Sequence, residues 1–455
     1  MSPYLQRWKF DSFGAAEILK WLVDGDMFDA GRLPGVTLLL ALGVAMAVLS
    51  RARPARVALA LFVVWLLLYF GRATWGHFTS VLPLHAGLLL HRFVGSVHLA
   101  ATLLIGLGGE WLWLQLRPVP DRWRALVLTL IVLTLLTPAL MERRTHYALN
   151  TEMIQRTRQA LEGDADARTM LATLAGLPPG RTYVGLRANW GKEMRFGEVH
   201  FYDLLTFHRI PAVSPPYSDM SLNADILWHF DDGNPAHYDV FNVRYVVAPR
   251  SWRPPGFLRR LKQTPRYVLY EAPTHGYGEL ITIGERVSPA SQTALFFNSR
   301  NWFLGAEPAA RKFVRYDFPP GTGSVSSDGQ AASERVACPA GTVADERVEP
   351  GRIDLRVECP TASTVVLKVT YHPNWKVTVD GRPVPTFMVS PSLIGVDLPP
   401  GVHRVSAEYR SGFLKTALLI LGVFTLLSVV AFRRSFANLE RLLSPARRAA
   451  PEPVI

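Results

Sequence analysis

Five apolar runs constrain this chain more than any other feature: residues 33–50, 57–70, 94–116, 123–141 and 413–432. About 20 apolar residues carry a helix across a bilayer core. Runs 94–116 and 123–141 reach that length, and 413–432 does so with only Lys415 interrupting it. Runs 33–50 and 57–70 are shorter, so Arg56 and Arg72 would snorkel to the two interfaces. With 49% of all residues hydrophobic, the expected fold is a multi-spanning α-helical membrane protein of about five transmembrane helices.

Arginines orient the expected spans. Arg51, Arg53 and Arg56 fill the first short connection, Arg117, Arg122 and Arg124 the third, and Arg433, Arg434 and Arg441 follow the last run. Positive charge collects on the cytoplasmic side. The expected domains are then an extracytoplasmic juxtamembrane segment (1–33), a four-helix membrane domain (34–141), two extracytoplasmic domains (142–319 and 320–411), a C-terminal helix (412–434) and a cytoplasmic tail (435–455).

The outer block changes character partway. In 142–319, β-rich runs at 182–187, 243–248, 267–271 and 280–283 are separated by helical or Pro-rich stretches, which reads as α/β. In 320–411, runs at 353–359, 365–371, 375–380, 393–398 and 404–410 carry period-2 alternation and turn signals, which reads as a β-sandwich. Asp380-Gly381 is a hairpin turn, because Gly accepts the positive φ that such turns need.

The net charge is +12, from 41 Arg and 8 Lys against 37 acidic residues. These cations form no block and no nucleic-acid motif, so nucleic acid is not an expected partner and the lipid bilayer is. The two cysteines, Cys338 and Cys359, fall in the outer block, where disulfides persist. Cys359 ends the alternation of Leu355 and Val357, so it should point inward. A bridge to Cys338 would staple neighbouring strands; two buried free thiols are the alternative.

Tyr371, Pro373, Trp375, Asp380, Gly381, Pro400, Gly401 and His403, followed by the last apolar run, resemble the C-terminal end of the YfhO-like proteins of the GT-C glycosyltransferase superfamily. Residues 25–34, and His91, Arg92 and Phe93 with Gly95 and His98, resemble an internal part of the same family, often labelled a 6-pyruvoyl-tetrahydropterin synthase-related membrane domain. No zinc-type His-x-His accompanies them, so the label implies no pterin chemistry. The resemblance implies a bacterial inner-membrane, multi-pass protein of the cell envelope. It implies transfer of a sugar from a polyprenyl-phosphate carrier to an envelope glycan acceptor, with a carboxylate as base. The family's catalytic helices have no counterpart here, so the expectation is a C-terminal module that works with a missing N-terminal half or a separate N-terminal membrane subunit. The alternative is a non-catalytic, membrane-anchored carbohydrate-binding or scaffold protein.

Several residues are candidates for chemistry. Asp24 and Asp26 form an Asp-x-Asp, the weak candidates for a catalytic carboxylate; such three-residue acidic patterns are common by chance, and a solvated juxtamembrane loop is the plainer account. Arg72, His91, Arg92 and His98, with His77 and His85 nearby, would hold a lipid phosphate, since Arg forks a phosphate through paired donors. Snorkelling at a helix end is the plainer account of the same residues. Glu110 lies beside Trp111 and Trp113, as at a membrane interface. The densest polar cluster is 229–239; its Asp231 and Asp232, with Trp228 just before it, are candidates to contact a sugar, while a solvated loop is the plainer account. Trp190, Trp302 and Trp375 are further aromatic candidates, though a lone Trp in a strand is more often core. No metal-ligand spacing is present and no cofactor is evident, while the acidic cluster leaves a divalent metal open.

Overall fold

The computed structural model describes residues 12–82, 88–186, 188–213, 221–318, 338, 340–410 and 412–432. The chain divides into two compact units, Tyr4–Thr274 with Ser291–Arg300, and His275–Ala290 with Asn301–Ile455.

The first unit begins with helices. Ala15–Asp24, Gly35–Leu49, Arg53–Tyr69 and Val94–Gln115 share a core that includes Ile18, Leu40, Phe62, Val97 and Leu104. Asp29 starts the second of these helices. Its carboxylate accepts from the Val36 and Thr37 amides at 3.0 and 2.9 Å and from the Thr37 hydroxyl at 2.6 Å. A negative group there satisfies orphan N–H donors and complements the helix dipole. Helices Gly35–Leu49 and Val94–Gln115 meet backbone to backbone, since a methyl group on Gly43 would run into the Leu104 carbonyl.

A 43-residue helix, Asp121–Gly163, follows. Asp164 then caps Ala165–Ala175 by accepting from the Ala167 amide at 2.9 Å. Its other oxygen accepts from the Tyr267 hydroxyl at 2.9 Å and pairs with Arg266. This helix packs on a four-stranded sheet ordered Arg181–Tyr183, Val243–Pro249, Tyr267–Glu271, Arg259–Gln263. The first pair is parallel and the other two are antiparallel.

The second unit is built from strands. One five-stranded sheet runs Arg382–Val384, Trp375–Val379, Gly401–Tyr409, Arg352–Cys359, Thr342–Glu349. Its hairpin turns at Asp380 (φ 52°) and Gly381 (φ 79°), with Val379 opposite Arg382. Five more strands close a barrel in the order Ser363–Thr370, Leu393–Leu398, Phe387–Val389, Lys312–Tyr316, Gly278–Val287. Cys338 and Cys359 are joined by a disulfide.

This architecture corrects the expected fold class of about five transmembrane helices with an α/β region and a β-sandwich. Among the described residues, one helix, Leu90–Gln115, is long and apolar enough to cross a membrane. A second is reached only if Arg53–Tyr69 and Gly71–Val81, bent by 81° at their junction, count as one span. Gly35–Leu49 has 15 residues, about 22 Å at 1.5 Å per residue, against a core of about 30 Å. Run 123–141 is absorbed into the much longer helix Asp121–Gly163, whose second half is polar. The last run forms the helix Phe413–Ala431, of which the stretch Phe413–Ser428 counts as an apolar helix shorter than a span. The sandwich is replaced by an open sheet plus a closed barrel. Two barrel strands, Gly278–Val287 and Lys312–Tyr316, come from the stretch read as α/β. An apolar run announces a strand but not whether its distant neighbour closes a barrel. The arginine-based orientation rested on five spans and loses that basis; the tail, 435–455, lies outside the described residues.

Candidate functional site

In the first unit, the two parallel strands Arg181–Tyr183 and Val243–Pro249 end on the same edge of the sheet. Each is followed by a loop that carries a tryptophan, Trp190 in one and Trp252 in the other. Ligands of open α/β sheets bind outside the carboxyl ends of parallel strands. Both indoles are half-buried, with ring centroids 4.9 Å apart and planes tilted by 38°. Part of each ring therefore remains open to solvent.

Asp232 ties this pair down. Its Oδ2 accepts from Trp190 Nε1 at 2.8 Å and from Asn189 Nδ2 at 3.3 Å. Asn189 also donates to the Tyr183 hydroxyl at 3.1 Å, and its Oδ1 accepts from the Leu186 and Gly191 amides at 2.7 and 3.0 Å. The loop folds this tightly because Gly185 has φ +75° and Gly191 lies against it; a Cβ on Gly185 would sit 2.6 Å from the Gly191 Cα. A side chain at either position would open the loop and release Trp190.

The floor is aromatic. Tyr183 packs on Phe230 with centroids 4.8 Å apart, and Phe230 on Tyr238 at 5.0 Å. The Tyr238 hydroxyl donates to the Asp232 carbonyl at 3.0 Å, and the Asp231 amide donates to His237 Nδ1 at 2.9 Å. Burial pushes the Tyr183 and Tyr238 hydroxyls well above the usual phenol range, so both stay neutral. Exposed Asp231 uses Oδ1 to accept from the Gly233 amide at 2.9 Å. This sheet end thus offers two aromatic surfaces and a carboxylate within a fixed frame. Indole stacks on apolar C–H faces, and a carboxylate accepts hydroxyl protons, so the arrangement suits a polyol such as a sugar.

The other candidates lie elsewhere. Trp228 is exposed at the end of helix Leu222–Leu227. Burial, with Arg300 adding to it, lowers the neighbouring His229 below the ordinary histidine value. Trp375 belongs to the second unit, where it stands edge-on to Tyr409 at 5.5 Å. Trp302 is buried and donates to the Lys312 carbonyl at 2.7 Å, which is a core role. Asp24 and Asp26 are exposed on either side of Gly25, and the carboxylate that this segment buries is Asp29.

Of the lipid-phosphate candidates, Arg72 Nη1 donates to the Leu88 carbonyl at 3.2 Å. That brings it beside the turn Leu90–Phe93, which holds half-buried His91 and exposed Arg92 immediately before the helix Val94–Gln115. His98 is exposed one turn into that helix, its ring 4.9 Å from Phe28. His77 is exposed, and His85 lies outside the described residues.

Sequence reasoning missed Asn189 and Trp252. The expected strand 182–187 ran through the point where the real strand stops at Tyr183 and the loop begins. The available signal was the placement of Trp252 just beyond a strand buried along most of its length, Val243–Pro249.

An α/β unit with an aromatic cluster at the carboxyl ends of its parallel strands and a barrel-and-sheet unit define the protein at the level of fold. Residues 340–421 match the family model described as bacterial membrane protein YfhO. That stretch covers the five-stranded sheet, three barrel strands and the first part of the helix Phe413–Ala431. There the chain is YfhO-like, and the likeness supports membrane association; the aromatic cluster lies outside the match. No match was found among curated proteins or solved structures.

Proposed function

We propose that this chain is the glycan-handling module of a GT-C-type membrane glycosyltransferase system of the bacterial cell envelope. In this reading the α/β and barrel units face the extracytoplasmic side, and the aromatic cluster holds part of an envelope glycan acceptor or of the sugar on a polyprenyl-phosphate carrier. The observation that carries it is the Trp190–Trp252 pair fixed by Asp232 at the carboxyl ends of two parallel strands. The Cys338–Cys359 disulfide supports an oxidising compartment for the second unit. Arg92, exposed before a helix N-terminus beside Arg72 and His91, is the matching place for the carrier phosphate, because a guanidinium forks a phosphate oxygen pair. A non-catalytic carbohydrate-binding or scaffold protein would use the same cluster; sugar transfer by a complex containing the chain separates the two readings.

The test is calorimetric titration of the full chain in detergent with two probes, an envelope oligosaccharide and a short-chain polyprenyl phosphate. Trp252→Ala should weaken oligosaccharide binding by about tenfold, near 1.4 kcal/mol, and leave the lipid phosphate unaffected. Arg92→Ala should do the reverse, with Arg92→Lys intermediate. Equal affinity of all variants for both probes would remove the proposal.

A further inference from the structure

The sheet of the second unit ends in a patch whose chemistry differs from the rest of its surface. The strand Gly401–Tyr409 hands over, through Arg410 and Gly412, to the helix Phe413–Ala431. Beside that junction lies the turn 372–376. The Arg410 amide donates to the Asn374 carbonyl at 2.9 Å, and Asn374 Nδ2 donates to the Tyr409 hydroxyl at 3.3 Å. Turn and strand end are therefore one rigid piece. Its aromatic groups are Trp375, 5.5 Å from Tyr409, and His372, 5.6 Å from the same ring.

Three exposed cations stand at the same end of the sheet: Lys376 and Arg410 on the face opposite Trp375 and Tyr409, and Lys415 near His372. Lys376 Nζ donates to the Pro373 carbonyl at 3.0 Å, and Lys415 projects from the first helical turn. Arg410 pairs with Glu408 at 2.9 Å, so three positive charges meet one carboxylate. Burial holds the His372 ring below the ordinary histidine value, and the nearby Lys415 charge adds to the effect. The helix that follows is apolar and bare: Phe413, Leu419, Phe424 and Leu426 are each at least 65% exposed. A sheet end with aromatic rings on one face and Lys and Arg on the other, at the root of an exposed apolar helix, suits a headgroup layer, where rings sit at the boundary and cations meet phosphate.

We propose that Trp375, Tyr409, Lys376, Arg410 and Lys415 form a seat for the headgroup layer of an anionic phospholipid bilayer, into which the helix Phe413–Ala431 inserts its apolar sides. The occupant is anionic lipid rather than a protein, because the patch pairs excess positive charge with a helix that carries no charged residue beyond Lys415 in its first turn and exposes large apolar side chains along its length. A protein-binding helix usually keeps a polar face. The seat would hold the barrel-and-sheet unit at a set height on the membrane.

The experiment is hydrogen exchange of the full chain in nanodiscs of phosphatidylcholine, with or without phosphatidylglycerol. Peptides covering 371–376 and 409–412 should exchange about fivefold more slowly with phosphatidylglycerol, the effect of one near-surface cation. The barrel strand Ser363–Thr370 should not change. The triple variant Lys376→Glu, Arg410→Glu, Lys415→Glu should abolish the difference. Raised salt should shrink it in the wild type, a control that does not depend on the variant folding. Equal exchange in both lipids would overturn the proposal. So would protection in detergent that depends on protein concentration, which would make the occupant a second copy of the chain.

Discussion

Asp380 shows how much one side chain settles. It takes the positive φ of the hairpin turn, its Oδ1 accepts from the Arg404 amide at 2.8 Å, and its Oδ2 meets His403 Nδ1 at 2.7 Å. The Arg404 amide, with His403 adding to it, lowers the Asp380 carboxyl, and Asp380 in turn raises His403 above the ordinary histidine value. The raised His403 contributes stability that is present below its unfolded pKa and lost as pH rises through the folded one. The lowered Asp380 contributes stability that is present above its unfolded pKa and lost as pH falls through the folded one. The pair should therefore help most between about pH 4 and 6.5 and fade on either side. Exchange of the Arg404 amide, compared with His403→Gln at each pH, should differ most in that window. A difference that does not vary with pH would contradict the pairing. The turn itself was legible, because Asp-Gly between alternating runs has few other readings. The role of Asp29 was not: nothing local separates it from exposed Asp24 and Asp26 until the helix it caps is in place.

At the scale of elements, legibility followed pattern strength. Strands Tyr267–Glu271 and Leu393–Leu398 stand where their apolar runs put them. The edge strand Arg259–Gln263 was invisible, because its charged residues face solvent and leave no alternation to read. The barrel was invisible for another reason: its closure depends on a parallel pairing of Gly278–Val287 with Lys312–Tyr316. Where its strands Ser363–Thr370 and Gly278–Val287 pair, fully buried Lys368 meets Glu279 Oε2 at 2.8 Å, and Arg311 meets the other oxygen at 2.9 Å. A buried pair gives a barrel little net stability but makes it intolerant of losing one member. Lys368→Met alone should cost about 3–5 kcal/mol, and Lys368→Met with Glu279→Leu should recover much of it. Denaturant midpoints of the two variants decide this; equal losses would mean that the pair is not coupled.

At the scale of the whole molecule, composition pointed to the membrane but overcounted the ways of reaching it. Apolar runs of similar look became a 15-residue helix, a bent pair, one long enough helix and part of a 43-residue helix. Hydrophobicity reports what must leave water, and only length and straightness decide whether it crosses a bilayer. The Trp190–Trp252 site was half legible. Asp232 and Trp190 stood out as a carboxylate and an aromatic, while their meeting with Trp252 depended on two loops brought to one sheet edge by parallel strands.

That meeting is the central claim, and photo-crosslinking tests it most directly. An envelope oligosaccharide carrying a diazirine, irradiated with the full chain in detergent and mapped by mass spectrometry, should mark the peptides containing Trp190 and Trp252. The yield should fall in Asp232→Asn, which weakens the anchor of Trp190. Adducts confined to other peptides, or an unchanged yield in that variant, would contradict the account.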